Sequence, residues 1–188
     1  MSHRVFIAIN LPPEVKNELE KLIFSLAKEY HKLPIKWVEK NNLHLTLHFL
    51  GSQDQGRIEQ ISEVLNEWVA QFPVLDLKLG QLGVFPYLDR PRVIYLELKE
   101  RKGEALKSLQ KNLGEELEKL DIDVDHRPWR PHVTLARIKA LVKIELPEVN
   151  FNNLEFKVDK VDLMESDLQP QGPNYKVLKE FGLKRYEG

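Results

Sequence analysis

HLTLHFLG at 44–51 and HVTLAR at 132–137 are the stretches on which the fold turns. Around the first, residues alternate strictly. Leu43, Leu45, Leu47 and Phe49 take one phase, and His44, Thr46 and His48 take the other. Successive side chains of a strand point to opposite faces, so this is a strand with one apolar and one polar face. HVTLARI at 132–138 begins the same way, after Pro128 and Pro131 break the chain. Working outward, each stretch has similar company. RVFIAI at 4–9 reads as a strand, and Pro12 and Pro13 open a helix whose apolar stripe is Val15, Leu19, Leu22, Leu26 and Tyr30. RVIYLEL at 92–98 reads as a strand, followed by a helix marked by Leu106, Leu109, Leu113, Leu117 and Leu120. Arg4-Val5 precedes HLTL by 40 positions, and Arg92-Val93 precedes HVTL by the same 40.

Strand, helix and His-x-Thr-Leu strand therefore occur twice, which is an internal duplication. The expectation is an α+β fold of one domain, 1–188, with pseudo-symmetric lobes at about 1–88 and 89–188. Between the repeats, Ile58, Ile61, Leu65, Trp68 and Phe72 predict a helix. Leu75, Leu77 and Leu79 predict a strand, and Gly80, Gly83 and Pro86 a loop after it. Further strands are expected at about 154–166 and 175–185, crossing between lobes, with a bulge where the apolar phase shifts between Val158 and Val161.

Composition narrows the function classes. The 188 residues carry 28 Lys and Arg against 29 Asp and Glu, a net charge of −1. That excludes a broadly polybasic nucleic-acid binder and leaves room for a local basic site. With no cysteine, disulfides, thiolate–zinc sites and cysteine nucleophiles are excluded. Neither GxxxxGK nor GxGxxG is present, so no Gly-rich phosphate loop supports an ATP-dependent step. The apolar run in MSHRVFIAIN is too short for a signal segment, and no run approaches the ~18 apolar residues of a membrane helix. The expected setting is the cytoplasm, with no membrane partner.

Threonine points to the chemistry. The only two in the chain, Thr46 and Thr134, each lie two residues after one of six histidines. Random placement gives this with a chance of order 10⁻³ on composition. Residues i and i+2 share a strand face about 7 Å apart, at ~3.3 Å per residue. A hydroxyl and an imidazole so placed can hold one phosphate. Two facing pairs put an acid and a base on opposite sides of phosphorus, and an imidazole with a pKa near 6.5 suits either role.

HLTLHFLG and HVTLAR resemble the two signatures of the two-histidine phosphoesterase superfamily. Within it the chain is similar to the RNA 2′,3′-cyclic phosphodiesterases, also called 2′-5′ RNA ligases. RVFIAI, GVFP at 83–86 with RPRVIYLEL after it, and ESDLQPQGPNYKVLKEFGL at 165–183 extend the resemblance over nearly the whole chain. It implies two antiparallel sheets facing a central cleft with helices outside. It also implies metal-independent hydrolysis of a terminal ribose 2′,3′-cyclic phosphate to a 2′-phosphate, with no cofactor. ATP-independent 2′-5′ ligation follows as reversal of that phosphate chemistry. Carried over, His44 and His132 are the catalytic acid/base pair, with His44 preferred as acid and His132 as base. Thr46 and Thr134 bind the phosphate, Arg137 closes the second motif, and Phe49 packs near the ribose or base. Arg137 is out of phase with His132 and Thr134, so the strand must end or bulge near Ala136 for it to reach the phosphate.

Other residues are weighed beside these. His48 reads as a cleft-wall or surface residue sharing a face with His44. Arg127, Arg130 and Arg137 make 126–137 a local basic patch, with Arg130 a candidate phosphate contact. Trp129 reads as a core aromatic or a base-stacking platform. Trp37, Tyr87 and Arg92 are rim candidates, and His3 and His31 surface residues. Expected partners are RNA ends or small ribonucleotides bearing a 2′,3′-cyclic phosphate, bound by a monomer. The competing reading is a nucleotide- or RNA-end-binding module without turnover.

Overall fold

The computed structural model describes residues 2–151, 154–169 and 172–184. Arg185, the last residue of the C-terminal strand reading, lies outside them, as do Pro170 and Gln171 of the tail that carries part of the resemblance. The elements are β1 (His3–Asn10), α1 (Pro13–Glu29), β2 (Ile35–Trp37), β3 (His44–Gln53), α2 (Gln55–Val69) and β4 (Leu75–Phe85). They continue as β5 (Val93–Glu100), α3 (Ala105–Glu118), β6 (His132–Ile138), β7 (Glu155–Val158), β8 (Lys160–Gln169) and β9 (Gly172–Gly182).

Local chemistry explains the helix starts. Pro13 begins α1, where its missing N–H costs nothing. Asp54 caps α2 by accepting from the Arg57 amide at 2.8 Å. The Glu100 carboxylate, at the end of β5, accepts from the amides of Ala105 and Leu106 at 3.2 and 3.0 Å. A strand thus satisfies the orphan donors of the helix that follows it.

The strands order as β7-β4-β5-β6-β3-β1-β8-β9, with β2 on β6, and every named pairing is antiparallel. Two sets of four strands, β3-β1-β8-β9 and β6-β5-β4-β7, meet at one ladder pair, Leu45 with Val133. This is the expected α+β duplication of antiparallel sheets, with a His-x-Thr strand at the inner edge of each. The connections cross. β4 joins the sheet of β5 and β6, whereas β8 and β9 return to that of β1 and β3. The main core joins Leu45, Leu47, Val133 and Leu135 to buried residues of all three helices. A small separate cluster of Phe6, Ala8 and Met164, with Tyr175 against it, lies on the other face of β1.

Several expectations need correction. The first strands are one residue out of the register suggested by Arg4-Val5 and Arg92-Val93, because Asn10 faces His44 whereas Glu97 faces His132. β4 does not stop at Gly80; it runs through Gly83 to Phe85. Gly83 pairs with Tyr95, and a Cβ there would meet that ring at 2.4 Å, so the glycine admits the aromatic instead of ending the strand. The phase shift between Val158 and Val161 is no bulge. β7 ends at Val158 and β8 starts at Lys160 in the other sheet.

The bulges that matter lie in the His-x-Thr strands. Ile7 faces His48 and Ala8 faces Thr46, which leaves Leu47 as an extra residue. Ile94 faces Ala136 and Tyr95 faces Thr134, which leaves Leu135 extra at the equivalent place. A bulge advances the side-chain phase by one. Leu47 and His48 therefore both turn into the core, as do Leu135 and Ala136. The next residue, Phe49 or Arg137, returns to the cleft face and is exposed.

Leu45 is fully buried at the junction of the two sheets. Leu45→Ala is expected to cost about 2–5 kcal/mol, the range for emptying a leucine site. Urea denaturation should show a lower midpoint at an unchanged slope.

Candidate active site

His44 and His132 are the first residues of β3 and β6. Each ring is held by the backbone two residues before it. His44 Nδ1 lies 2.7 Å from the Asn42 carbonyl oxygen, and His132 Nδ1 lies 2.6 Å from that of Arg130. A carbonyl only accepts, so Nδ1 carries the proton and donates. In the neutral ring, Nε2 is then the lone-pair nitrogen on the cleft side. The Thr46 hydroxyl, 3.0 Å away, donates to Nε2 of His44.

Aromatic rings wall both imidazoles. Phe6 and Tyr175 have centroids 5.1 Å from that of His44. Phe85 and Tyr95 stand 5.0 and 5.3 Å from His132. The walls are apolar and drive both pKa values below 6.5, His44 to about 4. Desolvation is the leading cause at each. The bond to the carbonyl opposes it, because it favours the protonated ring. Arg137 lowers both histidines, which places its charge on the cleft they share. Lys16 and His132 lower His44 further. Lys16 Nζ donates to Asn10 Oδ1 at 3.4 Å and to the Asn41 carbonyl at 3.2 Å. Asn10 in turn donates to Asp162 at 2.7 Å. Asp162 is almost fully buried, and desolvation raises its carboxyl above the usual range.

Four predicted site residues, His44, Thr46, His132 and Thr134, come together on the inner edges of the two sheets. Arg137 joins them because of the Leu135 bulge, which meets the requirement its phase imposed. Phe49 stands on the same face, 6.1 Å from Phe6, although simple alternation assigns it to the core side. Arg130 supplies its carbonyl to His132, and its side chain is exposed. His48 is corrected. It is buried against α3, where its Nε2 donates to the Gln110 carbonyl at 2.7 Å, and Gly114 leaves room for the ring. Trp129 packs on the main core and donates from Nε1 to the Thr46 carbonyl at 3.3 Å, tying the approach to β6 onto β3. Trp37 packs on the core, and Tyr87 is exposed under Arg90. Arg127 is exposed and forks onto Asp125.

Sequence reasoning missed the four aromatic walls, Lys16, and the carbonyls of Asn42 and Arg130. Phe6 and Tyr95 lie on strands that read as apolar runs, Phe85 lies in the stretch read as a loop, and Tyr175 lies at the start of a C-terminal strand reading of mixed polarity. A carbonyl has no residue signature at all. Among the described residues, no group of three or more His, Asp or Glu side chains could hold a metal ion. No helix there is long and apolar enough to cross a membrane.

Comparison with known proteins places this geometry. The sequence profile of the 2′-5′ RNA ligase superfamily matches residues 11–170. The RNA 2′,3′-cyclic phosphodiesterase of Thermotoga maritima is 34% identical over 97% of this chain and 99% of that protein. The protein of the same name from Methanocaldococcus jannaschii is 33% identical over 95% of this chain and 99% of its own length. Among solved structures, Escherichia coli LigT complexed with 3′-AMP superposes with a TM-score of 0.81 at 27% identity, covering 98% of this chain and 100% of LigT.

The buried histidines make stability depend on pH. An unfolded histidine takes up a proton near pH 6.5, whereas folded His44 does so only near 4. Between those values the unfolded chain binds more protons, so stability rises with pH and is lost on acidification. The His44 contribution is up to about 3 kcal/mol. Melting temperature should fall from pH 6.5 to 4, and His44→Gln should fall less steeply. Equal slopes for the two proteins would contradict this.

Proposed function

The chain belongs to the 2′-5′ RNA ligase superfamily, and from that premise we propose that it is a metal-independent RNA 2′,3′-cyclic phosphodiesterase that leaves a 2′-phosphate. What carries this reading is the matched pair of neutral histidines. Each has Nδ1 fixed by a carbonyl, and each has a threonine two residues on at the junction of the sheets. A site that only bound an anion would have no need for two tautomer-locked proton carriers.

In the proposed reaction, the cyclic phosphate lies between the histidines. Its non-bridging oxygens accept from the hydroxyls of Thr46 and Thr134 and from the Arg137 guanidinium. His132 Nε2 takes a proton from water as the water oxygen bonds to phosphorus. The bond from phosphorus to O3′ breaks, and His44 Nε2 gives O3′ its proton. The products are a 2′-phosphate and a free 3′-hydroxyl, with the proton count unchanged. In the free protein burial above all, helped by the charges of Lys16 and Arg137, holds His44 neutral. The substrate anion offsets those charges and draws a proton onto His44. Thr46 then exchanges the ring nitrogen for a phosphate oxygen. A 5′-hydroxyl in place of water gives a 2′-5′ linkage by the same transfers without ATP. Phe49 and the exposed Arg130 would line the path of the ribose and chain. One chain supplies both histidines, which supports a monomer, and the cysteine-free composition suits the cytoplasm.

The test is turnover of an oligonucleotide ending in a 2′,3′-cyclic phosphate, in EDTA. The expected product carries a 2′-phosphate, and His44→Ala or His132→Ala should cost at least ~10²-fold in kcat. Full activity in either variant, or cyclic-phosphate binding without product, would sink the reading.

Because both free-enzyme histidines titrate below 6.5, kcat/KM should be bell-shaped with its maximum below pH 6.5. A maximum above pH 7 would overturn the assignment of the two groups.

A further inference from the structure

The backbone just before His44 is tied to α1 by a cation with a buried anchor. Residues 40–42 make one tight turn, closed by the Asn42 amide on the Glu39 carbonyl at 2.9 Å and the Leu43 amide on the Lys40 carbonyl at 3.2 Å. Asn42, the last residue of that turn, supplies the carbonyl that fixes His44 Nδ1. Asn41, the residue before it, gives its carbonyl to Lys16 Nζ, which comes in from α1. Two other ties reach the turn. Lys40 pairs with Glu20 of α1 at 2.8 Å, an exposed ion pair of a kind that contributes little. The Asn42 side chain donates to the Pro173 carbonyl at 3.1 Å. At His132 the same task falls to stiffer chain. Pro128 and Pro131 flank the Arg130 carbonyl, and Trp129 bonds the Thr46 carbonyl.

The Lys16 ammonium is itself held by a chain of bonds. Asn10, opposite His44 across the ladder, accepts from Lys16 Nζ with Oδ1 and donates from Nδ2 to Asp162 Oδ2. A lysine only donates and a carboxylate only accepts, so the Asn10 amide has one orientation. Asp162 is 1% exposed, and its other oxygen, Oδ1, has no hydrogen-bond partner among the described residues. A buried acceptor without a partner costs about 1–3 kcal/mol. Stability alone therefore gives no reason for a carboxylate at this place. Burial lowers the Lys16 pKa and the Asp162 charge opposes that, which keeps a cation beside the turn.

We propose that Lys16 is a positioning residue for His44: anchored on Asp162 through Asn10, it pins the Asn41 carbonyl and with it the turn whose Asn42 carbonyl keeps the ring proton on Nδ1. Nε2 is then the nitrogen left to the reaction. This rests on the proposed phosphodiesterase reading for the use of Nε2 as the acid. The same ammonium adds to the positive charge facing His44, beside His132 and Arg137 of β6. Tyr175 of β9 is a neutral phenol with its pKa raised by burial, Phe6 and Asn10 of β1 are uncharged, and Asp162 of β8 is reached through Asn10. Removing the ammonium makes a protonated His44 less costly, so its pKa rises.

The experiment compares wild type, Lys16→Met and Asp162→Leu by nitrogen NMR of the histidine rings and by turnover of an oligonucleotide ending in a 2′,3′-cyclic phosphate. Wild-type His44 should show the Nδ1–H form at neutral pH. Lys16→Met should show a mixture of the two tautomers at His44 and no change at His132. Its His44 midpoint should move up from about 4 toward 6.5. Its kcat should fall about tenfold, less than the loss of the histidine itself, with KM within about twofold. Asp162→Leu should act in the same direction to a smaller extent, because Lys16 stays but loses its anchor. An unmoved His44 tautomer in Lys16→Met, or an equal change at His132, would overturn the role. A rise in KM with the tautomer unmoved would make Lys16 a ligand contact and overturn it as well. A shift in Lys16→Met with none in Asp162→Leu would overturn the anchoring through Asn10. If no protein turned over the substrate while Lys16→Met still shifted the tautomer, the phosphodiesterase reading would fail and the positioning role would stand.

Discussion

One extra residue just past each His-x-Thr pair sets what the cleft contains. A regular strand beginning at His44 would send Phe49 into the core and His48 into the cleft, and one beginning at His132 would bury Arg137. The bulges at Leu47 and Leu135 reverse that phase after the His-x-Thr pair is in place. The fourth residue past each histidine then packs inward, His48 against α3 and Ala136 in the second core cluster. The fifth turns to the ligand side. Core packing and the phosphate site are thus solved by the same backbone irregularity. Both copies of the duplication retain it.

The histidines share a tautomer lock and an aromatic enclosure but not an electrostatic setting. The shared part is structural, a carbonyl two residues back and two rings against each imidazole. The unshared part includes Lys16, which acts on His44 alone, and different residues across the ladder. Asn10 stands opposite His44, linked to Lys16 and the buried Asp162, whereas Glu97 stands opposite His132. A duplicated fold therefore supplies two alike proton carriers, and Lys16 on α1, which lowers His44 but not His132, makes them unequal. Unequal carriers are what an acid and a base in one reaction require.

Most of the element order was legible because the helices and strands follow their periods closely. α1 was read almost to the residue, since Pro13 starts it; β3 was read from its alternation over 43–49, with Gly51 and Ser52 expected to end it, but it runs through both to Gln53. β2 escaped notice. Three residues are too few to show a period, and its pairing with β6 depends on where β3 diverges. The reach of β4 past Gly80 and Gly83 was also hidden, because a glycine signals a turn unless a ring such as Tyr95 is known to lie over it.

The sequence alone determined the duplication, the two His-x-Thr strands and the four residues at their polar positions. These depend on local alternation and on a scarcity of threonine that any reader can count. Only the tertiary structure decided that the sheets meet at Leu45 and Val133 and that His48 is a core residue. Those facts depend on cross-strand register. A bulge shifts register by one residue with no residue type to announce it, so the side-chain faces follow from the partner strand and not from the strand itself.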